Sequence, residues 1–203
     1  MRVQVRTATV RTCTRWAIMG EMKAGTLDID TVLDDVRNSP TDIGTIHLIA
    51  VRPADGERLV VDEAKVSAES GLDGDNWLGR NAGSDPVPDH NQITLMNSRF
   101  ADAITPEGQG WELAGDQLYA DFDISVENTP PGTVLQIGTA TVRISAEPHT
   151  GCAKFASRFG REILKMTQTD LGKALRLRGV NASVLEAGSV ATGDSVSRVG
   201  FHD

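Results

Sequence analysis

The sequence predicts a mainly β fold, a closed or nearly closed barrel with a few peripheral helices. Short runs that alternate apolar and polar residues outnumber the helical patterns, and glycine-containing turns separate many of them. These runs do not alternate with helices as they do in a βαβ protein. With 203 residues, of which 39% are hydrophobic, the chain can bury one sizeable core.

The chain divides into three segments. Residues 1–22 are Arg-rich at their start and show no clean periodicity, so we expect a disordered tail or a mis-annotated start. Residues 23–43 are expected to hold an N-terminal helix packed on the barrel, because Ile29, Val32, Leu33 and Val36 are spaced for one buried face. Residues 44–199 are expected to form the barrel domain.

The first half of the barrel has local signals for each element. Residues 45–52 read as a buried strand and residues 57–66 as strand and turn. Residues 71–80 form a loop in which glycines either take positive φ or allow close approach to a ligand. Residues 92–96 are a short strand, after which Asn97 caps a helix that ends before Pro106.

The second half begins with a predicted strand over residues 121–127, where apolar and polar residues alternate. A hairpin over residues 133–145 turns at Gly138-Thr139. One helix is predicted over residues 155–166. Thr167 and Asp170 form a capping-box-like start for a second helix, which ends near Gly179. The closing strands are residues 180–185 and 190–199, which turn at Gly193-Asp194.

Charge is unevenly distributed along the chain. The net charge of −8 argues against a nucleic-acid partner, because phosphate contacts need a basic surface. Residues 152–178 hold seven Lys/Arg and two acidic residues, so this segment carries +5 and the rest of the chain −13. The segment favours a small anionic ligand, unless its cations pair with acidic residues elsewhere.

Cys152 is the residue with the most reactive chemistry in this segment. A thiol becomes a nucleophile or a metal ligand as thiolate, which nearby cations such as Lys154 and Arg158 favour. The preceding hairpin places Cys152 at a strand end or rim. The alternative is a buried cysteine beside a solvated basic helix face. A hydrolase built on His149 and Cys152 is disfavoured, because nucleophile and base usually come from distant segments.

Neither the apolar runs nor the cysteines point to a membrane or a disulfide framework. No run approaches the roughly 20 apolar residues of a membrane span. The two cysteines are far apart in the sequence, which favours a reducing compartment. We therefore expect a cytoplasmic protein with no membrane partner.

Four motifs in this order resemble the MOSC domain family (molybdenum cofactor sulfurase C-terminal domain), in a stand-alone bacterial-type form. They are the Gly-x-x-Gly-Asp loop at 71–75, the Gly-Asp-Gln-Leu turn at 115–118, Cys152 after the hairpin, and a terminal region running from Arg-Gly-Val at 178–180 to Gly-Asp at 193–194. The resemblance covers roughly residues 44–199. Asn76-Trp77 departs from the pattern where many members have a histidine.

The resemblance implies a barrel similar to the barrel domain of pyruvate kinase, with a cleft for a molybdenum–pterin cofactor (molybdopterin). It also implies that Cys152 is the catalytic residue, either as a molybdenum ligand or as a carrier of persulfide sulfur. Some relatives reduce N-hydroxylated compounds, and the sulfurase relatives work with a pyridoxal-phosphate cysteine desulfurase. The partners it implies are a small anionic cofactor and either a cysteine desulfurase or a redox partner; an oligomer is also compatible.

Basic and amide side chains supply the predicted cofactor contacts. A pterin cofactor ends in phosphate, which the cations near Cys152 can bind through charge-assisted hydrogen bonds, aided by the following helix N-terminus. Asn181 can hydrogen-bond to the pterin ring. The predicted contact residues are Gly74, Asp75, His149, Lys154, Arg158, Arg178 and Asn181. The alternative function is a non-catalytic module that holds a small anion on the same barrel.

Overall fold

The computed structural model of the chain describes residues 28–106 and 109–201, so the predictions for residues 1–22 lie outside the described residues. The helices are α1 (Ile29–Arg37), α2 (Trp77–Arg80), α3 (Ser98–Ile104), α4 (Ala153–Phe159), α5 (Arg161–Gln168) and α6 (Asp170–Ala174), with a 3-10 helix at Trp111–Ala114. The strands are β1 (Ile43–Val51), β2 (Leu59–Val61), β3 (Glu63–Ser67), β4 (Gly71–Leu72), β5 (Ile93–Asn97), β6 (Leu118–Asp121), β7 (Thr133–Ile137), β8 (Ala140–Ile144), β9 (Val180–Glu186), β10 (Gly188–Ala191) and β11 (Ser195–Phe201).

Seven strands close into a barrel in the order β1, β11, β7, β8, β9, β5, β6 and back to β1. Neighbouring strands are antiparallel except β5 and β6, which are parallel. Residues 43–45 of β1 pair with residues 195–197 of β11 and so close the barrel. β2 extends the sheet beside the C-terminal half of β1. The predicted closed, mainly β barrel with a few helices is therefore confirmed.

A small second sheet lies outside the barrel. Its strand order is β10, β3, β4, and Val190 of β10 faces Ala64 of β3. Gly193, with φ of 94°, makes the turn from β10 into β11, where the sequence predicts a turn. The sheet thus brackets the start of the segment predicted as the 71–80 loop, which in the structure begins in β4 and ends in the short helix α2.

Two clusters of buried apolar residues form the core of the protein. The first fills the barrel, with Leu118 and Leu135 at most 1% exposed. The second lies beneath the helices and includes Phe100, Phe155 and Leu177, together with the apolar face of α1. Burying a side chain of this size stabilises the fold by about 1.5–3 kcal/mol. Phe155 therefore anchors α4, and with it the turn that carries Cys152.

Local polar contacts fix the helices where the sequence places them. The Asn97 side chain accepts hydrogen bonds from the N–H groups of Arg99 and Phe100, which caps α3 as predicted. The Arg99 guanidinium pairs with Asp121 of β6 and Asp35 of α1. α1 is therefore tied to the barrel by charge as well as by its apolar face.

The predicted strand over residues 121–127 is wrong. β6 occupies Leu118–Asp121, and the chain then turns. Phe122 and Ile124 are both buried in the barrel cluster, which explains the alternating pattern. However, the Asp123 carboxylate accepts a hydrogen bond from the N–H of Ser125 (2.8 Å), and such local bonds compete with a strand ladder.

The single helix predicted over residues 155–166 is in fact two helices, α4 and α5, separated at Gly160. Gly160 has φ of 88°, a left-handed value that glycine adopts at little cost and that interrupts a helix. The apolar spacing crosses this break unchanged. The following helix is α6, which begins after its N-cap Thr169 and ends at Ala174 rather than near Gly179.

Candidate functional site

The candidate site surrounds the turn Gly115–Asp116, which joins the 3-10 helix to β6. Gly115 has φ of 93°, in the region that disfavours any residue with a Cβ. Asp116 is fully buried, and its N–H donates to the hydroxyl of Tyr119 (3.2 Å). Arginines from four separate segments of the chain reach this turn.

Arg52 extends from the end of β1 and links the turn to the 71–80 loop. Its guanidinium binds the fully buried Asp75 carboxylate through two hydrogen bonds (2.6 and 3.1 Å), and it also donates to the carbonyl of Gly115 (2.9 Å). Asp75 further accepts from the N–H of Trp77. Asp75 therefore orients Arg52, and its predicted direct contact with a cofactor stays a prediction.

Arg58, in the β1–β2 loop, and Arg158, in α4, converge on Gly115. A Cβ built on Gly115 would lie 3.7 Å from a terminal nitrogen of Arg58 and 3.9 Å from one of Arg158. Burial, and after it the positive charges of Arg158 and Arg52, lowers the pKa of the Arg58 guanidinium. Two cations are thus held near one point, where an anion would be attracted to both.

The hydrogen bonds of these two arginines leave part of their capacity unused. Arg158 donates to the carbonyl of Leu113 (2.7 Å), and Arg58 donates to the carbonyl of Glu57. The Nε of Arg58 is buried and has no partner among the described residues. Neither guanidinium is ion-paired with a carboxylate of residues 28–106 or 109–201.

Asp116 joins a second group of residues on the other side of the turn. Its carboxylate accepts a hydrogen bond from Arg178 and lies 3.2 Å from the Nδ1 of His149. Burial opposes its ionisation, but the attraction of Arg178 and His149 is stronger, so the pKa of Asp116 is lowered. Arg178 also stacks over the ring of Phe155, with 4.8 Å to the ring centroid. Two predicted cofactor contacts, His149 and Arg178, are thus held by one buried carboxylate.

Cys152 is the N-cap residue of α4 and is exposed as a free thiol. Lys154, two residues on, pairs with Asp55 of the β1–β2 loop, the same loop that carries Arg58. Lys154 and Arg158 are four residues apart in α4 and so share a face of the helix. The helix that carries Arg158 and follows Cys152 is therefore in contact with the loop that carries Arg58.

The remaining predicted residues act on the backbone around this site. Gly74 has φ of 82°, so it meets a conformational need of the 71–80 loop. Asn181 of β9 donates to the carbonyl of Glu147 (3.2 Å) and so holds the loop that leads to Cys152. A cofactor contact of either residue stays a prediction.

Sequence reasoning missed Arg52, Arg58 and the role of Asp116. Arg58 lies in an irregular loop, far along the chain from Arg158, and no spacing rule connects them. Asp116 was visible only as part of a glycine turn. The one available signal was that Arg58 and Arg158 each lie near glycines in the sequence. This signal is too general to predict that the two arginines are neighbours.

A separate surface groove lies where β1 meets β11, lined by residues such as Asp42, Asn128 and Phe201. It contains none of the predicted site residues. Its lining carries one arginine, Arg198, which lies near the exposed Asp42. We place the functional site at the Gly115–Asp116 turn because the unpaired cations converge there.

The part of the chain that the structure describes contains no group of three His, Cys, Asp or Glu residues placed to hold a metal ion. Cys152 is the free cysteine that it offers as a soft ligand. None of its helices has the length and apolar character needed to cross a membrane.

Together, the fold and the site define a β-barrel protein whose rim carries an exposed thiol beside converging arginines. A family model described as the MOSC domain matches residues 89–197, more than half of the chain. The chain belongs to the MOSC domain family. No curated protein matches it.

Solved structures of low sequence identity share this fold. YiiM from Escherichia coli is 20% identical with a TM-score of 0.51, over 77% of this chain and 70% of that one. The YuaD protein from Bacillus subtilis is 14% identical with a TM-score of 0.55, over 76% and 94% of the two chains. YiiM from Geobacillus stearothermophilus is 19% identical with a TM-score of 0.52, over 77% and 75%. At these identities the likeness shows the fold.

Proposed function

We propose that this chain binds a molybdenum–pterin cofactor at the Gly115–Asp116 turn, with Cys152 as the molybdenum ligand or as a carrier of persulfide sulfur. The observation that carries the proposal is the convergence of Arg58 and Arg158 on Gly115. Holding two cations together costs free energy, and a bound anion offsets that cost. The phosphate end of a pterin cofactor is such an anion.

The unused polar atoms of the site fit this cofactor. The buried Nε of Arg58 is an unpartnered donor suited to a phosphate oxygen, since arginine forms strong charge-assisted bonds with phosphate. The buried Oδ1 of Asn76 has no partner among the described residues, and it can accept a hydrogen bond from a ring N–H group.

Each residue then has a distinct part in holding the cofactor. Arg58 and Arg158 bind the phosphate, while Arg52 fixes the turn through the carbonyl of Gly115. Cys152 offers a thiolate, a ligand type that suits a soft metal centre and also carries sulfur. When bound, the cofactor supplies the redox chemistry, which in some relatives is the reduction of N-hydroxylated compounds.

The second candidate is a non-catalytic module that holds a small anion. It is favoured by the fact that Arg58 and Arg158 meet at Gly115 through their own contacts, none of which involves Cys152. In this reading, Cys152→Ala leaves anion affinity unchanged and no turnover is found.

The experiment compares the wild type with Cys152→Ala, both purified from a host that makes pterin cofactors. Molybdenum is measured by mass spectrometry, pterin by the fluorescence of its oxidised form, and persulfide by mass spectrometry after incubation with a cysteine desulfurase and cysteine. We expect molybdenum and pterin in the wild type and loss of molybdenum in Cys152→Ala, with pterin retained through the arginines. A wild type that carries no pterin contradicts cofactor binding, and a wild type that carries neither molybdenum nor persulfide contradicts the role of Cys152.

A further inference from the structure

The buried Asp116 carboxylate lies between Arg178 and His149. Arg178 donates to its Oδ2, and the Nδ1 of His149 lies 3.2 Å from its Oδ1. Oδ1 and Nδ1 are both buried, and neither has a well-aligned hydrogen bond to any described residue, so each faces the other as its polar neighbour. The contact joins residues that are far apart in the chain.

This contact favours one of the two neutral tautomers of His149. Because the pKa of Asp116 is lowered, its carboxylate is ionised and accepts hydrogen bonds only. Nδ1 must therefore carry N–H toward Oδ1. The His149 side chain is 16% exposed, and its Nε2 has no hydrogen-bond partner among the described residues.

The surroundings keep this arrangement in place. Arg178 is held by the carbonyl of Ala114 (3.1 Å) and by the ring of Phe155, which belongs to the helix that Cys152 begins. A Cβ on Gly179 would lie 3.1 Å from Oδ1 of Asp116 and 3.3 Å from Nδ1 of His149, so only glycine leaves the pair its room. No described acidic side chain other than Asp116 pairs with His149.

We propose that Asp116 is a positioning residue that keeps the proton of His149 on Nδ1 and so makes Nε2 the proton-accepting atom of this histidine. A bound group with an acidic O–H, N–H or S–H transfers its proton to Nε2, forming an Nε2–H bond and leaving its electron pair on the group. Asp116 balances the positive charge of the resulting imidazolium, and the reverse transfer returns the proton. The nature of the bound group rests on the proposed function, whereas the tautomer of His149 does not.

Asp116→Asn gives a test with a defined direction. Arg178 needs an acceptor, so the Asn carbonyl is expected to face Arg178 and the Asn NH2 to face Nδ1. Nδ1 then accepts and the proton moves to Nε2. Long-range 1H–15N correlation spectra of the histidines, recorded in alkaline buffer and assigned with His149→Gln, report the tautomer. We expect Nδ1–H in the wild type and Nε2–H in Asp116→Asn.

Asp75→Asn is the matched control, since Asp75 is equally buried and paired with an arginine, Arg52. It should leave the His149 tautomer unchanged. As a second measurement, diethylpyrocarbonate should modify His149 of the wild type through its unprotonated Nε2, and modification of Asp116→Asn should be slower.

A wild-type spectrum with His149 mainly as Nε2–H overturns the proposal without any variant, as does an Asp116→Asn spectrum that matches the wild type. If the wild type shows Nδ1–H yet carries no cofactor, the proposed function fails and the positioning of the His149 proton by Asp116 stands. The two failures are therefore distinguishable.

Discussion

At the scale of single residues, Gly115 and Asp116 divide the site into two parts. Gly115 leaves open the point on which Arg58 and Arg158 converge, while Asp116 organises Arg178 and His149. The prediction that Arg178 binds the cofactor directly stays a prediction: both of its terminal nitrogens have acceptors in the protein, whereas its buried Nε has no partner among the described residues. The sequence predicted the anion-binding cations within residues 152–178, whereas Arg58 of the β1–β2 loop also provides an unpaired charge.

Gly115→Ala tests the open point between the two arginines. The methyl group would lie in contact with both guanidinium groups, so we expect weaker binding of pyrophosphate in isothermal titration calorimetry. The left-handed backbone should also cost about 1–2 kcal/mol in the free energy of unfolding.

Gly83→Ala is the control for backbone strain. Gly83 has the same φ of 93°, and a Cβ there would meet no atom within 4 Å. It should lose similar stability and bind pyrophosphate as the wild type does. Equal loss of pyrophosphate binding in both variants would argue against an anion at Gly115.

Asp116→Asn also predicts a pH dependence of stability. The pKa of Asp116 is lowered in the folded protein, so its ionised form stabilises the fold above its unfolded pKa of about 3.9, and this stabilisation is lost as the pH falls below that value. At pH 7, removing the charge leaves Arg178 buried without its partner, at a cost of about 3–5 kcal/mol.

Urea denaturation from pH 7 to pH 3 measures this difference. The gap in unfolding free energy between the wild type and Asp116→Asn should narrow in acid. Asp89→Asn, a substitution at an exposed carboxylate, should show no such gap. A gap that stays constant down to pH 3 is the contrary result.

At the scale of elements, local signals were sufficient where one residue determines a boundary. Asn97 caps α3, and Gly138-Thr139 turns the hairpin, both as predicted. The predictions failed where apolar spacing continued past a backbone change: at Gly160 the helix is interrupted, and after Asp121 the strand becomes a turn. Burial fixes the spacing of apolar residues, but φ and side chain–backbone bonds decide the element.

Asn97→Ala measures what the cap contributes to α3 and the barrel. The Asn97 side chain accepts from two helix N–H groups and donates to the carbonyl of Phe122 (3.0 Å). Losing these bonds in a buried site should lower the unfolding free energy by about 2 kcal/mol.

Asn97→Asp is the informative companion variant, because it keeps the cap acceptor and removes the donor. If the cap contributes to stability, chemical denaturation should give Asn97→Asp an unfolding free energy between those of the wild type and Asn97→Ala. If both variants lose the same stability, the hydrogen bonds that Asn97 donates to Ser39 and Phe122 outweigh its capping role.

At the scale of the whole molecule, the barrel brings distant segments to one rim. The end of β1, the β1–β2 loop, the 3-10 helix and α4 meet around Gly115, although residues 58 and 158 are a hundred positions apart. The closed barrel and the position of Cys152 were accessible from sequence patterns. The proximity of Arg58 to Arg158 could not be predicted from these patterns, because the order of the strands decides which loops become neighbours.

The charge distribution takes on its meaning at the same scale. The molecule has a net charge of −8, yet two arginines of the site, Arg58 and Arg158, lack carboxylate partners among the described residues. Arg161 belongs to the same cationic segment as Arg158 but begins α5, beyond the Gly160 break. Replacing Arg158 and replacing Arg161 change the net charge equally, but of the two only Arg158 lies near Gly115. Comparing the two variants therefore separates the effect of local geometry from that of net charge.

The most direct test measures pterin and molybdenum per protomer in protein purified from a host that makes pterin cofactors. It compares the wild type, Arg58→Gln/Arg158→Gln, and the charge-matched control Arg143→Gln/Arg161→Gln. The account predicts comparable pterin in the wild type and the control, and its loss from Arg58→Gln/Arg158→Gln. Pterin retained in full by Arg58→Gln/Arg158→Gln, or absent from the wild type, would contradict it.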